Sequence, residues 1–142
     1  MDFFSALKVS ASGLTAQRTR LDIATANLAN AESTRGADGQ PYRRRDPVLE
    51  AASFEGALGQ VMGPEAPVGV RVADVVEDPG APRRVYLPGH PDADGQGFVA
   101  LPNVDPVHEV VNLLGATRSY EANATAFETV KALAQRALDI MR

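Results

Sequence analysis

The feature that most constrains this 142-residue chain is the placement of its helix-breaking residues. All ten prolines lie between Pro41 and Pro106, and ten of the twelve glycines lie between Gly36 and Gly97. A proline inside a helix costs about 3 kcal/mol and a glycine about 1 kcal/mol. Both ends of the chain can therefore form long helices, whereas the middle cannot be one continuous helix.

The first segment, from Asp2 to about Ala31, is predicted to be helical. Leucines recur at every seventh position, which places them on one face of a packed helix; these are Leu7, Leu14, Leu21 and Leu28. Serine, threonine and asparagine are frequent in this segment, and their side chains compete with helical backbone hydrogen bonds. We therefore expect the segment to be helical when it is packed against a partner.

The last segment has a well-defined helix start. Asp105 is suited to be the N-cap, Pro106 to be the first helical residue, and Glu109 lies one turn further on. The apolar stripe that follows comprises Val110, Leu113, Thr117, Tyr120, Ala124 and Phe127, and then Val130, Ala134, Ala137 and Met141. A helix of some 35 residues would be about 50 Å long, and its apolar face needs a partner helix.

The middle of the chain is predicted to contain short strands and turns. The candidate strands are Val68–Val72, Val75–Val76, Val85–Leu87 and Phe98–Val99, and the turn signals are Ala37–Gly39, Asp78–Gly80 and Asp94–Gly95. The predicted fold class is mainly α, with long N- and C-terminal helices forming a coiled-coil-like pair and a small β- and turn-rich central insert. The predicted boundaries are 1–33 for the first helix, 34–102 for the insert and 103–142 for the last helix.

Composition excludes several classes of function. The net charge is −4 and aromatic residues are only 6% of the chain, which is unlike a protein that grips nucleic acid. The absence of cysteine excludes disulfides and thiolate chemistry. No apolar run is long enough to span a bilayer. The start of the chain has no signal-peptide pattern, so we expect any export to use another route.

The most site-like cluster is the loop from His90 to Gly95. An EF-hand loop starting at Asp92 would need a glutamate at its twelfth position, where the chain has Asn103. The sequence therefore favours a structural turn, with no metal and no cofactor. None of the common catalytic motifs is present, so we expect no catalytic residues and no enzyme activity.

Two patterns leave alternatives open. The basic run Arg43–Arg45 could dock an acidic partner or anionic surface, or it could be a solvated strand edge whose charge prevents stray pairing. The two terminal apolar stripes could form a helical hairpin within one chain, or they could pack between chains.

Five short segments carry a resemblance to a known family. They are Ala26–Ala31 (ANLANA), Asp38–Arg43 (DGQPYR), Val70–Val76 (VRVADVV), Gly97–Asp105 (GFVALPNVD) and Thr117–Asn123 (TRSYEAN). The first is shared by the broad group of flagellar rod and hook proteins, and the others resemble the proximal-rod proteins of the bacterial flagellar basal body. The resemblance spans the whole chain, and Gly115 is a mild departure from it.

The resemblance implies a structural subunit of the proximal rod in the periplasmic space. Such a subunit polymerises by helix packing into the hollow drive shaft that transmits torque and contains the export channel. The implied partners are other copies of the chain, the rod subunits FlgB, FlgF and FlgG, the adaptor FliE at the MS ring, and the flagellar type III export apparatus, which would export the chain without a cleaved signal peptide. The alternatives are another flagellar axial subunit or a soluble helical enzyme or binding domain.

We expect the assembly interface to lie on the two apolar stripes and on the asparagines that end the first helix. Its predicted residues are Leu7, Leu14, Leu21, Leu28, Asn27, Asn30, Val110, Leu113, Tyr120, Phe127 and Val130. The amides of Asn27 and Asn30 could bond the backbones of neighbouring subunits, or they could simply end the helix.

Overall fold

The computed structural model describes residues 3–36, 38–53 and 68–140. Along the chain, a long helix comes first, four strands follow, and a second long helix comes last. The elements are α1 (Phe3–Ala29), β1 (Arg45–Ser53), β2 (Val68–Glu77), β3 (Arg83–Tyr86), β4 (Phe98–Leu101) and α2 (Pro106–Ile140).

The predicted fold class, mainly α, is wrong. About half of the described residues lie in helices and about a fifth lie in strands, which form two small antiparallel sheets. The strand content is larger than expected because the segment Arg45–Ser53, which the sequence analysis did not identify, is the full-length partner of β2. The fold therefore combines a terminal helical pair with two β-ribbons.

The two helices pack against each other in antiparallel orientation within one chain. The Asn27 side chain meets Glu109, while Gly13 lies against the side chain of Asn123. Moving forward along α1 thus corresponds to moving backward along α2 by the same number of residues. At this register Phe3 lies level with about residue 133, so the last turns of α2 extend beyond α1.

The ends of the helices follow local sequence signals. Asp105 caps α2, because its Oδ1 accepts a hydrogen bond from the backbone N–H of Val107 at 2.9 Å. At the end of α1 the Nδ2 of Asn30 donates to the carbonyl of Ala26 at 2.8 Å. Both predicted helices are confirmed in the described residues; Asp2 and Met141 lie outside them.

Strands β1 and β2 form an antiparallel ribbon. Arg45 pairs with Glu77 at one end and Ser53 with Val68 at the other, with a bulge at Ala73 where the register shifts. The backbone N–H and carbonyl of Arg45 point away from β2, toward α1. Pro47 lies two residues later, so its backbone nitrogen points to the same edge of β1, and the N–H that proline lacks is not needed for pairing with β2.

Strands β3 and β4 form a second, shorter ribbon near the start of α2. Tyr86 and Phe98 pack edge to face with ring centroids 5.3 Å apart. Gly97 adopts φ of +83°, and a Cβ there would lie 2.8 Å from the ring of Tyr86. The tight return into β4 therefore requires glycine at this position.

The buried core is small and is made of small side chains. Its apolar members among the described residues are Ala16, Ala24, Ala31, Val99, Leu101, Val104 and Ala116. Many larger apolar side chains are instead exposed, on both helices and on both ribbons. Neither described helix has an apolar stretch long enough to cross a bilayer.

Candidate functional site

The inner face of the helical pair is lined by small and polar residues rather than by the predicted leucines. On α1 the buried positions are Gly13, Ala16, Ala24 and Asn27. The predicted line Leu7, Leu14, Leu21 and Leu28 lies about a third of a turn away from this face, and each of these leucines is half-buried. Small residues at the contact let the two backbones approach closely, which displaces the leucines to the flank.

The predicted interface residues of α2 differ in exposure. Leu113, Phe127 and Val130 are half-buried, whereas Val110 is 43% exposed and Tyr120 is 38% exposed. Val110 therefore offers an apolar side chain that the described part of the chain covers only in part.

A buried polar cluster joins α1, β1 and α2. The side chain of Asn27 is 1% exposed and uses its whole hydrogen-bonding capacity. Its Oδ1 accepts from the hydroxyl of Tyr42 and from the backbone N–H of Arg45, both at 2.9 Å. Its Nδ2 donates to the carbonyl of Arg45 at 2.8 Å and to Oε2 of Glu109 at 3.2 Å.

Glu109 completes this cluster from α2. It is also 1% exposed, and its Oε1 accepts from Nε of Arg44 at 2.7 Å. Arg44 in turn bonds Asp46. Burial disfavours the charged form of Arg44, but its hydrogen bonds to Glu109 and Asp46 outweigh this effect and raise its pKa above the ordinary value. The pKa of Tyr42 is also raised, mainly by burial, with Arg45 opposing the shift and Glu77 and Glu109 adding to it.

The basic run is divided between two environments. Arg44 points inward, with 16% of its side chain exposed, and pairs with Glu109. Arg45 pairs with Glu77 at 3.3 Å and lies over the ring of Tyr42, and Arg43 is exposed. The three arginines therefore do not act as one basic surface.

The two asparagines of the ANLANA segment have different roles. Asn30 bonds the carbonyl of Ala26 and ends α1, as one of the two alternatives expected. Asn27 instead is buried and bonds the backbone of β1 in its own chain. The two expected alternatives were a bond to a neighbouring subunit and a role in ending the helix.

The loop His90–Gly95 is held by hydrogen bonds within the chain. The carboxylate of Asp92 accepts from the hydroxyl of Thr34 at 2.8 Å and pairs with Arg35 at 3.0 Å. The carboxylate of Asp94 accepts from the backbone of Phe98 and Gln96 and pairs with Arg84. Both carboxylates thus hold turns in place.

Exposed large apolar side chains are grouped most densely at three places. The first three turns of α2 expose Val107, Val110, Val111 and Leu114; the last turns expose Leu133, Leu138 and Ile140; and the β1–β2 ribbon exposes Val48, Leu49, Val68, Val75 and Val76. Patches of this kind are typical of protein–protein contact surfaces.

Comparison with known proteins gives concordant matches along the chain. The family described as "Flagella basal body rod protein" matches residues 7–37, and "Flagellar basal body rod FlgEFG protein C-terminal" matches residues 96–140. These matches cover most of α1 and all of α2.

Full-length relatives extend the similarity across the ribbons. The chain is 43% identical over 140 residues to the flagellar basal-body rod protein FlgC of Escherichia coli O6:H1, covering 99% of this chain and 98% of the relative. It is 44% identical over 148 residues to FlgC of Bacillus subtilis, covering 99% of each. It is 42% identical over 139 residues to FlgC of Aquifex aeolicus, covering 98% and 97%. Identity at this level over the whole length, together with the paired terminal helices, establishes that the chain belongs to the FlgC family of flagellar basal-body rod proteins.

Proposed function

We propose that this chain is a proximal-rod subunit that polymerises through its helices into the hollow drive shaft of the flagellum. The shaft would transmit torque and contain the export channel. The observation that carries the proposal is the set of large apolar side chains left exposed on α2, since a folded monomer gains nothing from placing Val107, Val111 and Leu114 in water.

The shape of the chain supports assembly into a filament. The helical pair has an apolar patch near each end of α2, and these patches are different surfaces. Contacts between unlike surfaces are head-to-tail contacts, and when they do not close into a ring they generate a helical array. Such an array is the architecture that a rod requires.

The proposed interface comprises the predicted positions on both helices. Leu7, Leu14, Leu21, Leu28, Asn30, Leu113, Phe127 and Val130 would contribute their exposed parts, and Val110 and Tyr120 their more open side chains. Asn27 would contribute indirectly, because its amide is fully used in holding β1.

Substitution Val110→Asp tests this interface. Val110 is 43% exposed, so the variant monomer should keep its circular-dichroism spectrum and melting temperature. It should lose assembly, because a carboxylate buried at a subunit contact costs several kcal/mol. The measurements are recovery of rods in isolated basal bodies and swimming of cells that carry the variant.

Ala81→Asp is the matched control, since it places the same carboxylate in an exposed loop. Control cells should swim normally. Intact rods and normal swimming with Val110→Asp would contradict the proposed interface.

The proposed partners are further copies of this chain, the subunits FlgB, FlgF and FlgG, the adaptor FliE and the flagellar type III export apparatus. The chain has no cysteine, so one introduced cysteine gives a unique crosslinking position. Crosslinking from Val111→Cys in isolated basal bodies should identify rod subunits as neighbours. Neighbours from the hook alone would favour another axial role.

A further inference from the structure

Two side chains of α1 bond backbone groups of the β1–β2 ribbon. At one point the amide of Asn27 bonds both the N–H and the carbonyl of Arg45 in β1. At the other point Oγ of Ser12 accepts from the backbone N–H of Val70 in β2 at 3.1 Å, while its own hydrogen is donated to the carbonyl of Val9 at 2.7 Å.

The Asn27 amide reproduces the bonding of a neighbouring strand. A strand beside β1 would offer one acceptor to the Arg45 N–H and one donor to its carbonyl, and the side-chain amide supplies both. Ser12 supplies the single acceptor that Val70 needs. In both places a side chain of α1 bonds a strand backbone group that is not used in the hydrogen bonds between β1 and β2.

The spacing of the two anchors matches on the helix and on the ribbon. Ser12 and Asn27 are fifteen residues apart, which is about 22 Å along α1. Val70 pairs with Ala51, six residues from Arg45, so the bonded points are about 20 Å apart along the ribbon. The ribbon can therefore lie along α1 and reach both anchors without distortion.

The ion pairs of the ribbon do not duplicate this function. Arg44 links Asp46 of β1 to Glu109 of α2, but it does so at the same end of the ribbon as Asn27 and adds no second point. Arg45 pairs with Glu77, and Arg71 pairs with Glu50, so these two pairs join β1 to β2. The strand-to-strand pairs hold β1 and β2 together, and a single link to α2 at one end leaves the direction of the ribbon relative to the helices undetermined.

We infer that Ser12 and Asn27 are positioning residues that fix the direction of the β1–β2 ribbon along α1. One anchor alone would leave the ribbon free to pivot, whereas two anchors far apart define its angle. The inference deepens the proposed function, because that angle decides how the exposed Val75 and Val76 would face neighbouring subunits. Its test uses the free full-length chain and is independent of assembly.

Amide hydrogen exchange of the monomer, followed by NMR, tests each anchor separately. Ser12→Ala should accelerate exchange of the Val70 amide at least tenfold, because this amide loses its acceptor, and the Arg45 amide should be unaffected. Asn27→Ala should accelerate the Arg45 amide by a similar factor. Ser12→Thr, which keeps the hydroxyl, should restore slow exchange at Val70.

The matched control is Ser119→Ala on α2. Among the residues that the structure describes, the Ser119 hydroxyl bonds only the carbonyl of Gly115 in its own helix, so its removal should leave exchange of the Val70 amide unchanged. Unchanged exchange of Val70 in Ser12→Ala, or equal acceleration of every ribbon amide, would overturn the inference.

A distance measurement tests the direction of the ribbon itself. Spin labels at Lys8→Cys and Val75→Cys should give a single narrow distance distribution in the otherwise unchanged chain. The distribution should become at least twofold wider when either anchor is replaced by alanine, with helix content preserved. A narrow distribution in both variants would refute two-point positioning. Failure of the proposed function would appear only in assembly and would leave these monomer results intact.

Discussion

At the scale of single residues, Glu109 joins the two halves of the structure. Its carboxylate lies on α2, yet its two oxygens bond a guanidinium from the approach to β1 and an amide from α1. A buried carboxylate is tolerated only when its charge and hydrogen bonds are satisfied, and both conditions hold here.

Glu109→Gln should destabilise the monomer by about 1–3 kcal/mol. The Glu109 carboxylate accepts from both Arg44 and Asn27, whereas the glutamine amide has one acceptor oxygen, so one of these hydrogen bonds is lost. Arg44 then keeps only Asp46 as a charged partner. Urea unfolding of the purified chain measures this change. Glu50→Gln removes an exposed pair with Arg71 and should cost less than about 1 kcal/mol. Equal losses of unfolding free energy in the two variants would show that the buried cluster contributes no more to stability than an exposed ion pair.

Asp94 gives a pH dependence whose sign follows from its hydrogen bonds. The hydrogen bond from the backbone N–H of Phe98 is the largest cause that lowers the pKa of Asp94 below its ordinary value of 3.8. The backbone N–H of Gln96 and the guanidinium of Arg84 lower it further. Since the folded pKa is lower than the unfolded one, this contribution is fully present above the unfolded pKa and is lost as pH falls through the folded pKa. An NMR titration of the Phe98 amide should thus show the turn intact at pH 5 and loosening only below pH 3.8, the ordinary pKa of this carboxyl. In Asp94→Asn the transition should vanish; if it persists, another group controls the turn.

Whether a single residue's role could be predicted depends on how local that role is. The capping function of Asp105 follows from its own and the next residues, and the structure confirms it. The role of Asn27 depends on Glu109, which lies 82 positions away in the chain. Periodicity alone gives no signal for such a contact. The sequence therefore predicts only that Asn27 bonds a neighbouring subunit or ends the helix, and that Glu109 lies in the first turn of α2.

At the scale of secondary-structure elements, helices and strands with strong local patterns were predictable. The bounds of α1 and α2 and the valine-rich strand β2 follow from breakers, caps and β-branched residues. Strand β1 carries Pro47, Ala51 and Ala52, which have low strand propensity. Its conformation is imposed by pairing with β2 and by bonds from α1, which are tertiary effects that local propensity cannot reveal.

The β3–β4 ribbon depends on one backbone conformation. Gly97→Ala should destabilise the chain by about 1–2 kcal/mol, because φ of +83° is unfavourable for alanine and its Cβ would also press against the ring of Tyr86. Thermal unfolding of the purified variant measures the loss.

Gly95→Ala is the control for this prediction. A Cβ at Gly95 would meet no described residue within 4 Å other than its chain neighbours, so this change should leave the melting temperature nearly unaltered. Comparable losses in both variants would mean that the whole turn, and not the conformation of Gly97, limits stability.

At the scale of the whole molecule, the last turns of α2 have no counterpart on α1. Removing the chain from residue 135 onward should therefore change the melting temperature of the monomer by only about 2 °C or less. The same truncation should abolish incorporation into rods, because it removes the exposed Leu138 and Ile140. Calorimetry and analysis of basal bodies measure the two effects; an unstable monomer would place these turns in the intrachain core.

The narrow alanine- and glycine-lined contact between the helices has a mechanical consequence. Alanine buries little surface, so pulling α1 and α2 apart exposes few apolar groups and meets little resistance from each residue. We expect such a chain to yield to modest traction and to refold once released, and the proposed export and assembly would require both properties.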